Sequence, residues 1–248
     1  MRVNIFLEGI DGVGKTSLMN ALKVALDMDI QQNREVLKDG EWIKEGDRFL
    51  MCEGYSFPTK PPTRFIKDSK TTFQMLFYHA QFLEVLNELS EYASPPEILI
   101  WDRSPLTTAV YNGGQLTRGL TEDTQHMFDM FTPNDAEPCI NMLYYLSCPV
   151  EVCAKRLMEE EPDDDVAKLP EKEMLSKLNS LKGRYNNLLH GLKFNGLNSI
   201  EELDSNLLNT YELCKIIVSR VRSKLSVIHF TKTLNLDPLV EQPIKYTT

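Results

Sequence analysis

Eight consecutive residues, Gly9-Ile10-Asp11-Gly12-Val13-Gly14-Lys15-Thr16, fit the pattern G-x-x-x-x-G-K-[ST]. Residues in that order bind phosphate. The glycines let the backbone curl until successive N–H groups face a β-phosphate, and a helix that follows aims its positive end at the same point. Lys15 is placed to reach the β- and γ-phosphates. The Thr16 hydroxyl suits Mg²⁺, a hard ion that keeps waters and takes few protein ligands. Gly9, Asp11, Gly12, Val13, Gly14, Lys15, Thr16 and Ser17 are therefore expected to hold ATP, with Thr16 on the metal. Such a match arises by chance in roughly one chain in a hundred of this length. A strand-like run at 3–7 before it and a helix-like run at 15–26 after it supply the context the motif requires.

A second group follows another apolar run, Ile98-Leu99-Ile100-Trp101-Asp102-Arg103-Ser104. An acid and a guanidinium at the carboxyl end of a buried strand lie where open parallel sheets bind ligands. Asp102 can join a Mg²⁺ shell or accept a bond from an acceptor hydroxyl, and Arg103 can grip phosphate oxygens as a planar fork. A strand-ending ion pair is the plainer reading of these two residues. The phosphate loop in the same sheet tips the balance toward chemistry. Glu53 closes the run 48–52 and reaches the same edge, where a carboxylate can take the proton of an attacking sugar hydroxyl. Gln74 and Gln81 lie near one another on a helix-like segment, and an amide offers the paired donor and acceptor that a pyrimidine edge needs. Tyr55, Phe57, Tyr78, Phe82 and Tyr111 can stack on a base, and each fits an ordinary core equally well.

The elements that carry these groups alternate. Strand-like runs at 3–7, 48–52, 97–101 and 141–146 are separated by longer helical patterns, which implies a parallel sheet covered on both faces. The clearest helix is 71–92, where Phe73, Leu76, Phe77, Ala80, Leu83 and Leu86 recur at helical spacing and Pro95-Pro96 ends the run. Helices are also expected at 149–160, 169–189 and 206–222, and a last short strand at 192–197. Residues 31–46 read as a polar excursion, and the acidic run Glu159-Glu160-Glu161 with Asp163-Asp164-Asp165 reads as a connector. The expected fold is a three-layer α/β sandwich, one domain over 1–225, with a parallel five-stranded sheet, a lid at about 156–170 and a tail at 226–248.

Composition narrows the partners. Among 248 residues the net charge is -9, whereas binders of nucleic-acid polymers concentrate positive charge. Five scattered cysteines show no C-x-x-C or Cys/His metal spacing, and reduced thiols are expected. No stretch has the roughly 20 apolar residues that cross a membrane, and the chain opens on a strand-like run rather than a signal peptide. A cytoplasmic protein acting on a small molecule is the expectation.

These residues resemble the thymidylate kinase and deoxynucleoside kinase superfamily, which includes the herpesvirus-type thymidine kinases, in scattered motifs over residues 3–222. Phe6-Leu7-Glu8-Gly9-Ile10-Asp11-Gly12-Val13-Gly14-Lys15-Thr16 is similar to the thymidylate kinase phosphate loop. So are Ser56-Phe57-Pro58-Thr59-Lys60, His79-Ala80-Gln81, and Asp102-Arg103 followed by Ala109-Val110-Tyr111-Asn112-Gly113. Asp102-Arg103-Ser104-Pro105-Leu106 is similar to the Asp-Arg-His-Pro segment of herpesvirus thymidine kinases. Glu53 followed by Phe57 resembles the segment that carries the catalytic acid of nucleoside kinases. The resemblance implies ATP- and Mg²⁺-dependent phosphoryl transfer to a thymidine-type deoxynucleoside, or alternatively to thymidine monophosphate, in an enzyme that often pairs as a homodimer. Lys15, Glu53, Asp102 and Arg103 become the catalytic set. Phe57, Gln81, Arg103 and Tyr111 join Glu53 on the substrate, Arg156 joins the nucleotide, and Thr16 and Asp102 hold the metal. Two departures matter. His79 stands where thymidylate kinases place an arginine for the acceptor phosphate, and of the lid arginines only Arg156 is matched. The first favours a nucleoside over a monophosphate, and the second leaves transition-state charge to Lys15, Mg²⁺, Arg103 and Arg156 or Arg118. A P-loop NTPase and a non-catalytic nucleotide binder are the rival classes, and no N-K-x-D guanine signature supports the first.

Overall fold

A computed structural model describes residues 2–33, 35–38, 41–44, 49–53, 80, 98–112, 139–191 and 199–225. Its strands are β1 (Arg2–Glu8), β2 (Glu35–Lys38), β3 (Glu41–Lys44), β4 (Phe49–Glu53), β5 (Ile98–Asp102), β6 (Cys139–Ser147) and β7 (Ser199–Asp204). Its helices are α1 (Lys15–Asn33), α2 (Pro105–Asn112), α3 (Val150–Glu160), α4 (Glu171–Gly191) and α5 (Thr210–Leu225).

Strands β4-β5-β1-β6-β7 lie side by side in that order, and every neighbouring pair is parallel. The central strand is buried on both faces, from Val3 to Glu8, which is why it reads as a continuous apolar run rather than an alternation. Two groups of helices cover the sheet. Helix α1 packs with α5, and α4 packs with both α2 and α3. Their apolar sides merge with the strands into one core that includes Leu18, Leu22, Leu157, Leu178, Ile217 and Val218.

Polar side chains near the middle of the sheet fix its register. Asn4 donates to Asn141 Oδ1 at 2.6 Å, and Trp101 Nε1 donates to Asn4 Oδ1 at 3.1 Å. Asn4 and Asn141 are Cα partners, and Trp101 stacks on its own partner Phe6 at 5.9 Å between centroids. A slip of one residue on any of the three strands turns these groups to the opposite face. Each buried amide left unpaired costs about 1–3 kcal/mol.

One strand lies where none is expected, and one expectation needs correction. The fifth strand of the sheet is Ser199–Asp204, and the run expected at 192–197 lies outside the described residues. It is an edge strand in which only Leu203 is buried, so its sequence Ser-Ile-Glu-Glu-Leu-Asp shows little apolar signal. The excursion at 31–46 also has structure: α1 runs on to Asn33, and β2 and β3 form a separate antiparallel pair with Val36 opposite Ile43 and Leu37 opposite Trp42. Asp39-Gly40 between two such runs is a hairpin signal. The acidic connector spans the turns between α3 and α4, where Asp164 Oδ1 accepts from Val166 N at 2.7 Å and Lys168 donates to the Asp163 carbonyl. The helix expected at 71–92, apart from Ala80, and the tail at 226–248 lie outside the described residues. Among the described residues no helix is long and apolar enough to cross a membrane.

Candidate active site

The chain visits β4 and β5 on one side of β1 and β6 and β7 on the other. Loops leaving the carboxyl ends of these strands therefore diverge at β1, the position at which open α/β sheets bind ligands. The phosphate loop occupies it. Gly9, Gly12 and Gly14 have φ of 144°, 74° and 98°, in the region that side chains avoid. Two of them are also hemmed in. A Cβ on Gly9 would sit 2.7 Å from the Leu146 carbonyl oxygen, and one on Gly12 would strike the Cys153 carbonyl and approach Leu157 Cγ to 2.9 Å. Gly12 thus lets the loop rest directly on α3. Gly12→Ala should cost at least about 2 kcal/mol of stability through conformational strain and overpacking together, and should weaken ATP binding more than tenfold. Thermal unfolding and titration calorimetry on the variant would show it, and a variant that binds like the parent would refute the contact.

Lys15 begins α1 and turns back across the loop, donating to the Gly9 carbonyl at 3.0 Å and the Ile10 carbonyl at 3.1 Å. Burial, seconded by the positive charge of Arg103, lowers its pKa to about 8. The carboxylates of Asp11, Asp102 and Glu8 hold the ammonium against that pressure. A phosphate beside Nζ would raise the pKa again, so binding above pH 8 must take up a proton. ATP affinity should then fall by up to about tenfold for each pH unit above 8. Calorimetry in buffers of different ionisation enthalpy between pH 7 and 9.5 measures both affinity and proton uptake, and a flat profile would contradict the geometry.

Opposite the loop, Arg103 donates to Asp11 Oδ1 at 2.8 Å, and its guanidinium carbon lies 5.2 Å from the centre of the Tyr111 ring. Burial raises the pKa of Asp11, but the charges of Arg103 and Lys15 outweigh it and hold the carboxyl below its ordinary value. Tyr111, at the end of α2, is pushed well above the ordinary phenol range, chiefly by burial. Arg103 itself has φ 78°, unusual for a residue with a side chain, while its N–H reaches the Leu7 carbonyl at 3.0 Å. Asp102 Oδ1 is buried and lacks a hydrogen-bond partner among the described residues. Thr16, Ser17, Asp102, Arg103, Arg156 and Glu160 line the same cleft, which holds about 520 Å³ including space open to solvent. An unpaired carboxylate oxygen and a hydroxyl on one cleft are a donor set that suits Mg²⁺ completed by water and phosphate.

Arg156 on α3 donates to the Val13 carbonyl at 3.4 Å and the Ser205 carbonyl at 3.2 Å. It ties the phosphate loop to the turn between β7 and α5. Glu53 ends β4 as the Cα partner of Asp102, so its backbone stands at the same sheet edge. Phe57 and Gln81 lie outside the described residues.

The sequence reading missed Glu8. This last residue of β1 is buried completely and accepts from Ser104 Oγ, from Thr107 N at 3.2 Å, from Thr107 Oγ1 at 2.6 Å and from Tyr185 OH at 2.8 Å. Burial raises its pKa, against the lowering effect of these bonds and of Arg103. A charged residue ending an apolar strand was the signal available. Cys148, Cys153 and Cys214 are buried free thiols, as expected, and burial pushes Cys153 up to about 12.

No protein-family model and no curated protein matches the chain. Solved structures do. Thymidylate kinase from Candida albicans superposes with a TM-score of 0.54 at 12% identity, over 94% of this chain and 96% of that one. Deoxyadenosine kinase from M. mycoides with bound dATP gives a TM-score of 0.49 at 12% identity, over 88% and 99%. The same enzyme with the products dCMP and dCDP gives 0.48 at 13%, over 89% and 99%. At such identity the likeness is one of fold, and the chain shares the fold of that thymidylate kinase over nearly its whole length.

Proposed function

We propose that this chain is an ATP-dependent kinase that phosphorylates a thymidine-type deoxynucleoside. The observation that carries the reading is the pair of cations, Lys15 at the start of α1 and Arg103 just after β5, on a single cleft. Phosphoryl transfer rests on positioning and on charges that meet the transferred group, and two cations fixed before substrate arrives supply both.

In this reading the loop from Gly9 to Ser17 cradles the ATP phosphates, and Lys15, with its pKa of about 8, stays charged at neutral pH. The Thr16 hydroxyl and Asp102 would hold Mg²⁺, which would supply positive charge to offset that of the phosphates. Arg103 grips the phosphoryl oxygens, and Arg156 orders the nucleotide end of the loop. Glu53 takes the proton of the attacking hydroxyl, with Phe57, Gln81 and Tyr111 shaping the pocket for the base. The segment 156–170 closes over the cleft and keeps water from competing with the acceptor. Thymidine monophosphate is the second acceptor to test, because Arg103 as held by Asp11 can also bind a phosphate on the acceptor.

The experiment is acceptor-dependent ADP release with ATP and Mg²⁺, comparing thymidine, deoxycytidine, thymidine monophosphate and no acceptor. Turnover with thymidine is expected. Turnover with the monophosphate alone would replace the nucleoside reading, and turnover that ignores the acceptor would make the chain an NTPase.

A further inference from the structure

Glu8 touches neither the cleft surface nor solvent, yet it draws together three parts of the chain that the site depends on. Its Oε1 accepts from Ser104 Oγ and Thr107 N, and its Oε2 from Thr107 Oγ1 and Tyr185 OH. Ser104 and Thr107 flank the first turn of α2, directly after Arg103. Ser104 Oγ also accepts from Leu106 N at 3.1 Å, and Thr107 N donates to the Ser104 carbonyl at 3.0 Å, so the turn is closed on itself as well as on the carboxylate. On the other side Tyr185 comes from α4, the helix that follows the acidic turns. A buried carboxylate is expensive unless every lone pair is used, and this one has four donors.

The residue that this arrangement holds in place is Arg103. Its backbone sits at φ 78°, a conformation that persists in a side-chain-bearing residue only where its surroundings impose it. Two contacts impose it. The Arg103 N–H is bonded to the Leu7 carbonyl, next to Glu8, and the following residue is bonded to Glu8 itself. With both fixed, the guanidinium is delivered to Asp11 across the phosphate loop.

We propose that Glu8 is a positioning residue: its carboxylate clamps the Ser104–Thr107 turn to β1 and to α4 and so holds the Arg103 guanidinium over the phosphate cleft. The proposal deepens the kinase reading, in which Arg103 meets the phosphoryl group. Glu8 contacts no substrate and acts only through Arg103.

The test uses the full chain with Glu8→Gln, which keeps the shape but turns one acceptor into a donor facing hydroxyls. Tyr185→Phe, which removes the bond to Glu8 and the contact at 3.0 Å with Thr107 Oγ1 but leaves the carboxylate in place, serves as the milder variant should the first fail to fold. Two readouts distinguish positioning from general support. The first is the ¹⁵Nε–H resonance of Arg103, assigned by its disappearance in Arg103→Lys. It should lose its distinct shift and exchange faster with water in Glu8→Gln, with a smaller change in the same direction in Tyr185→Phe, while the affinity for ATP changes less than twofold. The second is a double-mutant cycle on acceptor-dependent turnover. Glu8→Gln should lower kcat about 30-fold alone and less than threefold in an Arg103→Ala background. An Arg103 resonance that stays put in both variants, or losses that multiply in the cycle, would overturn the proposal. If the parent chain turns over no acceptor but the resonance responds as described, the kinase reading falls and the positioning role stands.

Discussion

Replacing Lys15 with alanine should reduce acceptor-dependent turnover at least about 10³-fold while leaving the protein folded. Removing one preorganised donor from a transition state that carries charge costs about 3–4 kcal/mol in a water-poor site, and Lys15 is both a donor and a full charge. The unusual part of the prediction concerns stability. Burial holds the lysine pKa at about 8, below the ordinary 10.5, so the folded state carries a cost for keeping it protonated. A gap of that size corresponds to about 3 kcal/mol. The sign follows from linkage. Below pH 8 both folded and unfolded chains hold the proton and the cost is present in full. Between about pH 8 and 10.5 the unfolded chain holds the proton more tightly, and stability rises with pH until the cost is gone. The variant lacks this term. Denaturant unfolding of both proteins from pH 7 to 10.5 should therefore show the parent gaining on Lys15→Ala as pH rises, with the variant no less stable at pH 7. A parent that loses ground to the variant over that window would show that Lys15 is not buried as described.

Arg103→Gly should lower kcat about 10²- to 10³-fold and yet leave a protein more stable than Arg103→Ala. Both substitutions remove the pairing with Asp11 and the contact with Tyr111. Only glycine relieves the φ of 78°, a backbone state that costs a residue with a Cβ about 1–2 kcal/mol. At most positions in ordered structure the preference runs the other way, because glycine loses more freedom on folding. An alanine variant equal to or above the glycine variant in Tm would remove the argument for strain at Arg103. Activity should not distinguish the two, since neither can grip a phosphoryl oxygen. The two measurements together separate the backbone strain at Arg103 from what its side chain does for chemistry. Strain kept at a site of this kind is expected where geometry matters more than stability.

Much of the site could be read along the chain because its chemistry is local. Gly9 to Ser17 is one contiguous stretch, a loop running into the first turn of α1, and the strand before it and helix it opens are adjacent in sequence. Asp102 and Arg103 were recognised for a similar reason, since a charged pair ending an apolar run marks the carboxyl edge of a sheet. The parallel sheet with covered faces followed from four apolar runs alternating with helical patterns. Strand β7 shows the limit of that method. Ser199–Asp204 is a strand because β6 offers it a row of partners, with Met142 opposite Ser199 through Ser147 opposite Asp204, and not because its own residues favour the state.

What only the tertiary structure decided are the contacts between residues far apart in the chain. Arg103 meets Asp11 across 92 positions, so an aspartate read as part of the nucleotide loop turns out to steady the arginine opposite. Tyr185 meets Glu8 across 177 positions, and neither residue carries a motif by itself. Arg156 joins Val13 to Ser205, bracing the loop against the β7–α5 turn. The φ of Arg103 is likewise invisible in sequence, because nothing local requires it and the fold imposes it. Local pattern determines which groups can do chemistry and at which end of a strand they emerge. The distances and charges that tune them depend on which strands become neighbours, a choice made by burial of the whole sheet rather than by any one segment.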